Sequence, residues 1–230
     1  MIARDIWAPG QPGTRRLVLL RHGRTEWNAV GRAQGHANVS LDEVGRAEAA
    51  RAAPFLASYR PAFVWSSDLA RARETAEVLM QLLPALELRL DERLREFDVG
   101  LREGLTFPEF EQKYPDVYAD FMAGREAGLH GAETIPHVCE RMTAVLSDAA
   151  AAVGVGETGV IVGHGASLRT GLLAFLGVPQ SHGEMLAGMA NCAWAVLELR
   201  GGRGWQIIDY NAQTLPEPVD LADDPVGAGH

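Results

Sequence analysis

Cysteine is scarce in this chain of 230 residues: Cys139 and Cys192 are far apart and form no CxxC pair. That excludes a disulfide scaffold and a cysteine-built zinc site, and it points to a reducing cytoplasm. Long apolar runs are missing too. The longest nearly apolar stretch, Met185 to Leu197, is too short to span a bilayer and contains Asn191. The segment Met1 to Arg16 holds Pro9, Gly10, Pro12 and Gly13 but no apolar h-region, so it does not read as a signal peptide. Positive charge is in deficit, with 21 Lys and Arg against 30 Asp and Glu, a net −9. A surface of that sign repels phosphate backbones, and no polybasic arm offers a membrane or nucleic-acid contact. What remains is ordinary globular composition, 47% hydrophobic and 22% charged.

Residues 1–15 and 214–230 are rich in Pro, Gly and acids and read as flexible tails. Between them, one domain over residues 16–213 is expected. Three short apolar runs, Leu17–Leu20, Ala62–Trp65 and Gly159–Val162, suit strands buried on both faces. Helical patterns follow them. Ser40-x-x-Glu43 predicts a capping box with a Val39–Val44 staple, opening a helix that Pro54 should kink or end. A stripe at Leu69, Ala72, Ala76, Leu79 and Leu83 predicts the next, and Ile135–Val153 and Ala166–Leu176 two more. Ala193–Leu199 and Trp205–Asp209, separated by Gly201-Gly202-Arg203-Gly204, predict a hairpin-like strand pair. Strands alternating with helices predict an α/β three-layer sandwich, its mainly parallel sheet covered on both faces. Residues 101–134 break the rhythm with Phe107, Phe110, Tyr114, Tyr118, Phe121 and Met122, a helical, lid-like insertion. An aromatic stripe at helical spacing also reads as plain packing.

In open α/β sheets ligands bind beyond the carboxyl ends of the strands. There the first run delivers Arg21 and His22, the second Ser66-Ser67 and then Arg71, the third His164. Arg71 in a first helical turn faces the positive end of the helix dipole, an arrangement that a bound anion makes favourable. Its bland alternative is pairing with Glu74 or Glu77 on a solvated face. Gly23 and Gly165 flank the two histidines and leave backbone N–H groups free for an anion. Two histidines also raise a metal site, which lacks further ligands and has arginines beside it that repel a cation. Phosphoryl transfer needs a proton donor for the leaving oxygen. In Asp91–Asp98 both Glu96 and Asp98 qualify, and periodicity does not choose between them.

Arg21-His22-Gly23-Arg24-Thr25-Glu26-Trp27-Asn28 resembles the signature of the histidine phosphatase superfamily, the phosphoglycerate mutase-like proteins. The likeness continues through Gly31-Arg32-x-Gln34-Gly35, Leu41–Ala47, Ser66–Ala76, Leu94-Arg95-Glu96, Val162–Gly165 and Tyr210-Asn211, nearly the whole chain outside the tails. The resemblance implies that His22 is a nucleophile that becomes phosphohistidine. It implies that Arg21, Arg71 and His164 surround the phosphoryl oxygens, and that Glu96 is the general acid, selected over Asp98. Asn28, Gln34, Gly35 and the backbone at Gly165 would complete the phosphate contacts. No metal and no cofactor are expected. One departure is Gly163, where many members of the family have serine.

Mutases of the family carry paired arginines in the insertion; here Arg102 and Arg125 stand alone. With Glu133-Thr134 after His130-Gly131, this favours a metal-independent phosphatase of a small sugar- or glycerate-type phosphomonoester. A cofactor-dependent phosphoglycerate mutase is the alternative. Gly188–Trp194 and His130-Gly131 are similar to the bacterial glucosyl-3-phosphoglycerate phosphatase group, although Gly188–Trp194 also reads as the start of a core strand. A non-catalytic phosphate-binding protein is the rival of another class, opposed by the presence of all five core residues. A cytoplasmic enzyme with a small phosphorylated metabolite as partner is expected, with no nucleic acid, no membrane, and a homodimer allowed by the resemblance.

Overall fold

The computed structural model describes residues 13–124 and 131–214. Most of the two expected tails, His130 and Arg125 lie outside the described residues. Six strands, β1 (Arg15–Arg21), β2 (Phe63–Ser66), β3 (Leu88–Leu90), β4 (Thr158–Gly163), β5 (Trp194–Arg200) and β6 (Gly204–Ala212), form one sheet in the order β3-β2-β4-β1-β5-β6. The first four run parallel, while β5 pairs antiparallel with both β1 and β6. The expected mainly parallel sheet and late strand pair are both present. β3 was not anticipated.

Two-residue alternation sorts β1 into two cores. Leu17 and Leu19 pack with α6 (Ile135–Ala152) and α7 (Gly165–Phe175) through Met142, Val145, Leu168 and Leu172. Val18 and Leu20 pack with α2 (Glu43–Ser58) and α3 (Ala70–Met80) through Ala49, Leu56, Ala72 and Leu79. The result is helix, sheet, helix. These four β1 side chains are almost wholly buried, and each contributes about 1.5–3 kcal/mol on transfer from water.

The start of α2 differs from the capping-box expectation. Its N-cap is Asp42, whose carboxylate accepts the Gly45 N–H at 2.7 Å and the Arg24 Nε–H at 2.8 Å. Ser40 stays outside the helix because the carboxylate answers both a helix donor and a neighbouring cation. Pro54 does not end α2, which continues to Ser58. Pro54 faces solvent, where water can take the carbonyl it leaves unpaired, while Ala52, Ala53 and Leu56 hold the helix to the sheet.

The insertion forms α4 (Phe107–Lys113) and α5 (Pro115–Met122). Phe110 is completely buried there, met edge-on by Tyr114, Tyr118 and Phe121 at 5.9–6.3 Å between ring centres. Much of the aromatic stripe is therefore a small core of its own. An isolated bridge between Val99 and Ala132 closes its neck. Among the described residues no helix is long and apolar enough to cross a membrane.

Candidate active site

Chain topology brings the two sequence-distant histidines together. From β1 the chain passes to α2 on one face of the sheet, and from β4 to α7 on the other. The adjacent strands therefore diverge at their carboxyl ends, the point where α/β sheets open a crevice. Register finishes the job: Arg21 sits opposite Gly163, and the His22 N–H donates to the Gly163 carbonyl at 3.0 Å. The rings of His22 and His164 lie 5.2 Å apart.

The backbone just after β1 is pressed onto the first turn of α2. A Cβ on Gly23 would stand 2.6 Å from the Gly45 carbonyl oxygen, and one on Gly45 would stand 2.0 Å from that of Arg24. Only glycine at both positions permits the approach. Thr75 of α3 fixes the same loop by accepting the Gly23 N–H at 3.0 Å.

His22 is 3% exposed and borders a cavity of about 600 Å³. Its Nδ1 lies 2.7 Å from the Gly23 carbonyl oxygen. A carbonyl only accepts, so Nδ1 carries the proton and Nε2 is left with an open lone pair. Burial, and then the charges of Arg71 and Arg21, hold the imidazole well below the usual histidine range. It is neutral at physiological pH.

Arg71 is 1% exposed, which overturns the solvated-face alternative. It donates from Nε to His164 Nδ1 at 3.1 Å, and from its two terminal nitrogens to the Ala37 and Gly35 carbonyls, both at 2.8 Å. Three of five N–H groups are engaged, leaving one on each terminal nitrogen, a fork for an anion. Glu77 instead pairs with Arg73, and Glu74 accepts the Leu41 N–H. Burial lowers the Arg71 guanidinium to about 10, so it stays charged. Arg21 donates to the Met189 carbonyl, and its buried Nε–H has no protein partner. Gly165 packs beside that group, where a Cβ would stand 3.3 Å from Arg21 Nε.

His164 is placed differently from the expectation of a direct pocket wall. It is fully buried behind the cavity, with Nδ1 accepting from Arg71 and Nε2 donating to Ser67 Oγ at 2.9 Å. Burial first, then Arg71, His22 and Arg21, depress it well below its ordinary range. Ser66 and Ser67 are also buried rather than cavity-lining. Gly163 lies within β4 against Leu168.

Asn28, in the one-turn helix α1 (Glu26–Ala29), Gln34 and Gly35 do border the cavity. The side-chain Oδ1 of Asn28 accepts from Thr25 N, Thr25 Oγ and Asn191 Nδ2 at 3.0–3.4 Å, so its Nδ2 end remains available as a donor. Gln34 has a buried amide oxygen without a partner.

Glu96 and Asp98 both border the cavity, as do Phe97 and Val99, so two-residue alternation does not sort this segment. Glu96 Oε1 accepts from Phe97 N at 2.9 Å and Ser167 N at 2.8 Å, and Oε2 from Ala166 N at 3.0 Å. It thereby caps the amino end of α7, favourable for a carboxylate. Asp98 turns inward on its own loop, accepting from Gly100 N at 2.9 Å.

Sequence reasoning missed what holds Glu96. Arg141 of α6 donates to the carbonyls of Arg93, Arg95 and Glu96 at 2.7–3.0 Å and binds the Glu133 carboxylate at 2.7 and 2.8 Å. His36 Nε2 adds a bond to the Glu96 carbonyl at 2.9 Å. The signal was present: Val138, Arg141, Met142 and Val145 follow helical spacing, so Arg141 lies on a buried stripe, where a cation needs partners. Asn191 was also missed as a site residue; its Nδ2 donates to the His22 carbonyl at 3.1 Å.

The two depressed histidines make a prediction about stability. In the unfolded chain each binds a proton near pH 6.5; in the fold neither does until much lower pH. Their contribution is thus complete above the unfolded value and is lost as pH falls towards the folded ones. The two together should add up to about 2.7 kcal/mol per pH unit to the slope below pH 6.5. Denaturant unfolding at pH 7.5, 6.5 and 5.5 measures it, and His22→Ala should flatten the slope by about one proton. An unchanged slope would contradict the buried neutral state.

A sheet edge with a neutral, open imidazole nitrogen beside the buried guanidinium of Arg71 and the half-buried one of Arg21 defines an α/β protein built to handle a phosphoryl group. The chain belongs to the histidine phosphatase superfamily (branch 1), whose sequence profile matches residues 17–213. It is similar to a glucosyl-3-phosphoglycerate phosphatase of Mycobacterium tuberculosis, 34% identical over 212 residues covering 86% of this chain and 95% of the relative. A metal-independent phosphoserine phosphatase of Arabidopsis thaliana is 34% identical over 181 residues, 76% of this chain and 74% of that one. A solved mycobacterial glucosyl-3-phosphoglycerate phosphatase in complex with VO3 superposes with a TM-score of 0.76 at 33% identity, covering 86% of this chain and all of that one. Proteins named as probable phosphoglycerate mutases match as well.

Proposed function

We propose that the chain is a metal-independent phosphatase that hydrolyses a small sugar- or glycerate-type phosphomonoester through a phosphohistidine. The observation that carries this reading is His22, with its proton held on Nδ1 and its Nε2 lone pair open to the cavity between Arg21 and Arg71.

The phosphoryl group sits with its oxygens against the free fork of Arg71, the partnerless Nε–H of Arg21 and the amide donors of Asn28 and Gln34. His22 Nε2 attacks phosphorus; the N–P bond forms as the bond to the ester oxygen breaks. Glu96 gives that oxygen a proton, so a neutral alcohol leaves. Oε2 is the atom for this step, since it accepts one N–H where Oε1 accepts two. Glu96 then takes a proton from water as the water oxygen attacks phosphorus. The N–P bond breaks with its electron pair returning to Nε2, so inorganic phosphate leaves, His22 is neutral again and Glu96 is again protonated. Fixed guanidinium donors stabilise the charge spread over the phosphoryl oxygens. His164 serves from behind, orienting Arg71 rather than touching substrate.

The reading extends to one catalytic domain over residues 16–213, in which Arg102, Phe121, Gly124 and Glu133 of the insertion border the cavity, and to a cytoplasmic setting, supported by two free cysteines. A homodimer through the exposed side of β6, where Ile208 is solvent-facing, belongs to it as well. The net charge of −9 supports a small metabolite rather than nucleic acid or membrane as partner.

The test is phosphate release from a panel of phosphorylated metabolites in excess EDTA, with phosphoglycerate isomers followed in parallel. Phosphate release unaffected by EDTA is expected. A loss restored by added metal would overturn the metal-free mechanism, and interconversion of phosphoglycerates without free phosphate would assign the mutase.

A further inference from the structure

Tyr210 and Asn211, near the end of β6, do not border the cavity. Both sit at a β-bulge. Between Trp194 and Val196 of β5 the partner on β6 moves from Ala212 to Asp209, so two steps on one strand face three on the other. A bulge of this kind re-aims the side chains it carries. It leaves Asn211 in the left-handed region at φ 57°, a conformation that asparagine takes more readily than most residues.

The two side chains meet the loop formed by residues 187–191. Asn211 Oδ1 accepts the Ala190 N–H at 2.8 Å, and its Nδ2 lies 3.5 Å from the Gly188 carbonyl. The Tyr210 hydroxyl donates to the Ala187 carbonyl at 2.6 Å. Met189, between these anchors, is buried in the core. The same loop holds two groups of the phosphoryl site. Its Met189 carbonyl accepts from Arg21 Nη1. Its Asn191 Nδ2 donates to the His22 carbonyl at 3.1 Å and lies 3.4 Å from Asn28 Oδ1. A guanidinium or an amide held on one side points its remaining N–H groups in a fixed direction, and such preorganised donors are what stabilise a phosphoryl group. Glu96 is held separately, by the N–H groups of Phe97, Ala166 and Ser167.

We propose that Asn211, assisted by Tyr210, is a positioning residue for the phosphoryl site: by fixing the loop of residues 187–191 it sets the direction of Arg21 and Asn28. The proposal rests on the phosphatase reading for the identity of the ligand, and phosphate binding tests it without any turnover.

Asn211→Gly keeps the left-handed backbone and removes the amide, while Tyr210→Phe keeps the ring and removes the hydroxyl. Calorimetric titration with inorganic phosphate should show binding to Asn211→Gly weakened about tenfold, the scale of one hydrogen bond to a charged group. Tyr210→Phe should weaken it in the same direction. On an Arg21→Met background the loss caused by Asn211→Gly should shrink, because part of what the loop holds is already gone. For p-nitrophenyl phosphate and an alkyl phosphate, kcat/KM should fall in Asn211→Gly by one common factor, since the two esters share the phosphoryl end and differ in their need for Glu96. A variant that melts earlier yet binds phosphate as the unaltered protein does would make Asn211 a merely structural residue and overturn the proposal. So would a loss of full size on the Arg21→Met background, a greater loss for the alkyl ester, or an unaltered protein that binds no phosphate. Turnover of p-nitrophenyl phosphate that persists in His22→Ala would instead strike the phosphatase reading, and the phosphate titration would still decide on Asn211.

Discussion

Replacing His22 with alanine is expected to lower phosphate release on the order of 10⁵-fold, the scale seen when a covalent nucleophile is removed. The expectation follows from how few alternatives the cavity offers. Nε2 of His22 is held open and neutral by the Gly23 carbonyl, burial and the two arginines. His164 cannot take over, since its Nδ1 accepts from Arg71 and its Nε2 donates to Ser67. Asn28, Gln34 and Thr170 on the wall are poor nucleophiles without a base beside them. The fold should survive, because the His22 side chain makes one hydrogen bond, to its own neighbour. Rapid alkali quench with an ester radiolabelled in its phosphoryl group should trap, in the unaltered protein, an alkali-stable phosphoprotein that later acid treatment discharges, and none in the variant. Label retained in His22→Ala would move the nucleophile elsewhere.

How much of this was legible beforehand depends on how local each feature is. β1 and β4 announced themselves because unbroken aliphatic runs stop abruptly at Arg21-His22 and at Gly163-His164, and the rule about strand ends then placed the chemistry. The helix cap was local too, yet it came out two residues off. Ser40 and Asp42 are both good caps, and the choice was made by Arg24, which lies close only once β1 and α2 are packed. β3 is three residues long and carries no pattern of its own; its partner β2 defines it. Arg71 could be placed at a helix start, but its burial depends on carbonyls of Gly35 and Ala37 from another loop. The Arg141 clamp is the same case: four backbone and side-chain partners drawn from residues 93–96 and 133. Residue types that do chemistry were readable one by one. Which of them face the cavity and which stand behind it is tertiary information, and His164 is the residue on which that difference mattered most.

Glu96→Gln should separate acid catalysis from everything else the site does. For an alkyl phosphate, whose alkoxide is a poor leaving group, the phosphorylation step is expected to slow about 10²–10⁴-fold, the usual worth of a positioned general acid. An aryl phosphate leaves as a stabilised phenolate and needs no proton, so its phosphorylation step should slow by about tenfold at most. The comparison has to be read in the pre-steady-state burst, because hydrolysis of the phosphoenzyme uses the same carboxylate as base and slows for both substrates. Glutamine is close in shape, and its carbonyl oxygen can keep the two N–H bonds now made to Oε1 by Phe97 and Ser167. Its amide nitrogen meets the Ala166 N–H, which loses its acceptor; that bond is solvent-exposed, so water can take the N–H and the loss is about 0.5–1.5 kcal/mol in stability. A folded variant with an intact aryl burst therefore isolates the proton. Equal slowing of both bursts would instead implicate Asp98, the other carboxylate on this wall, whose Oδ1 is now engaged by the Gly100 N–H.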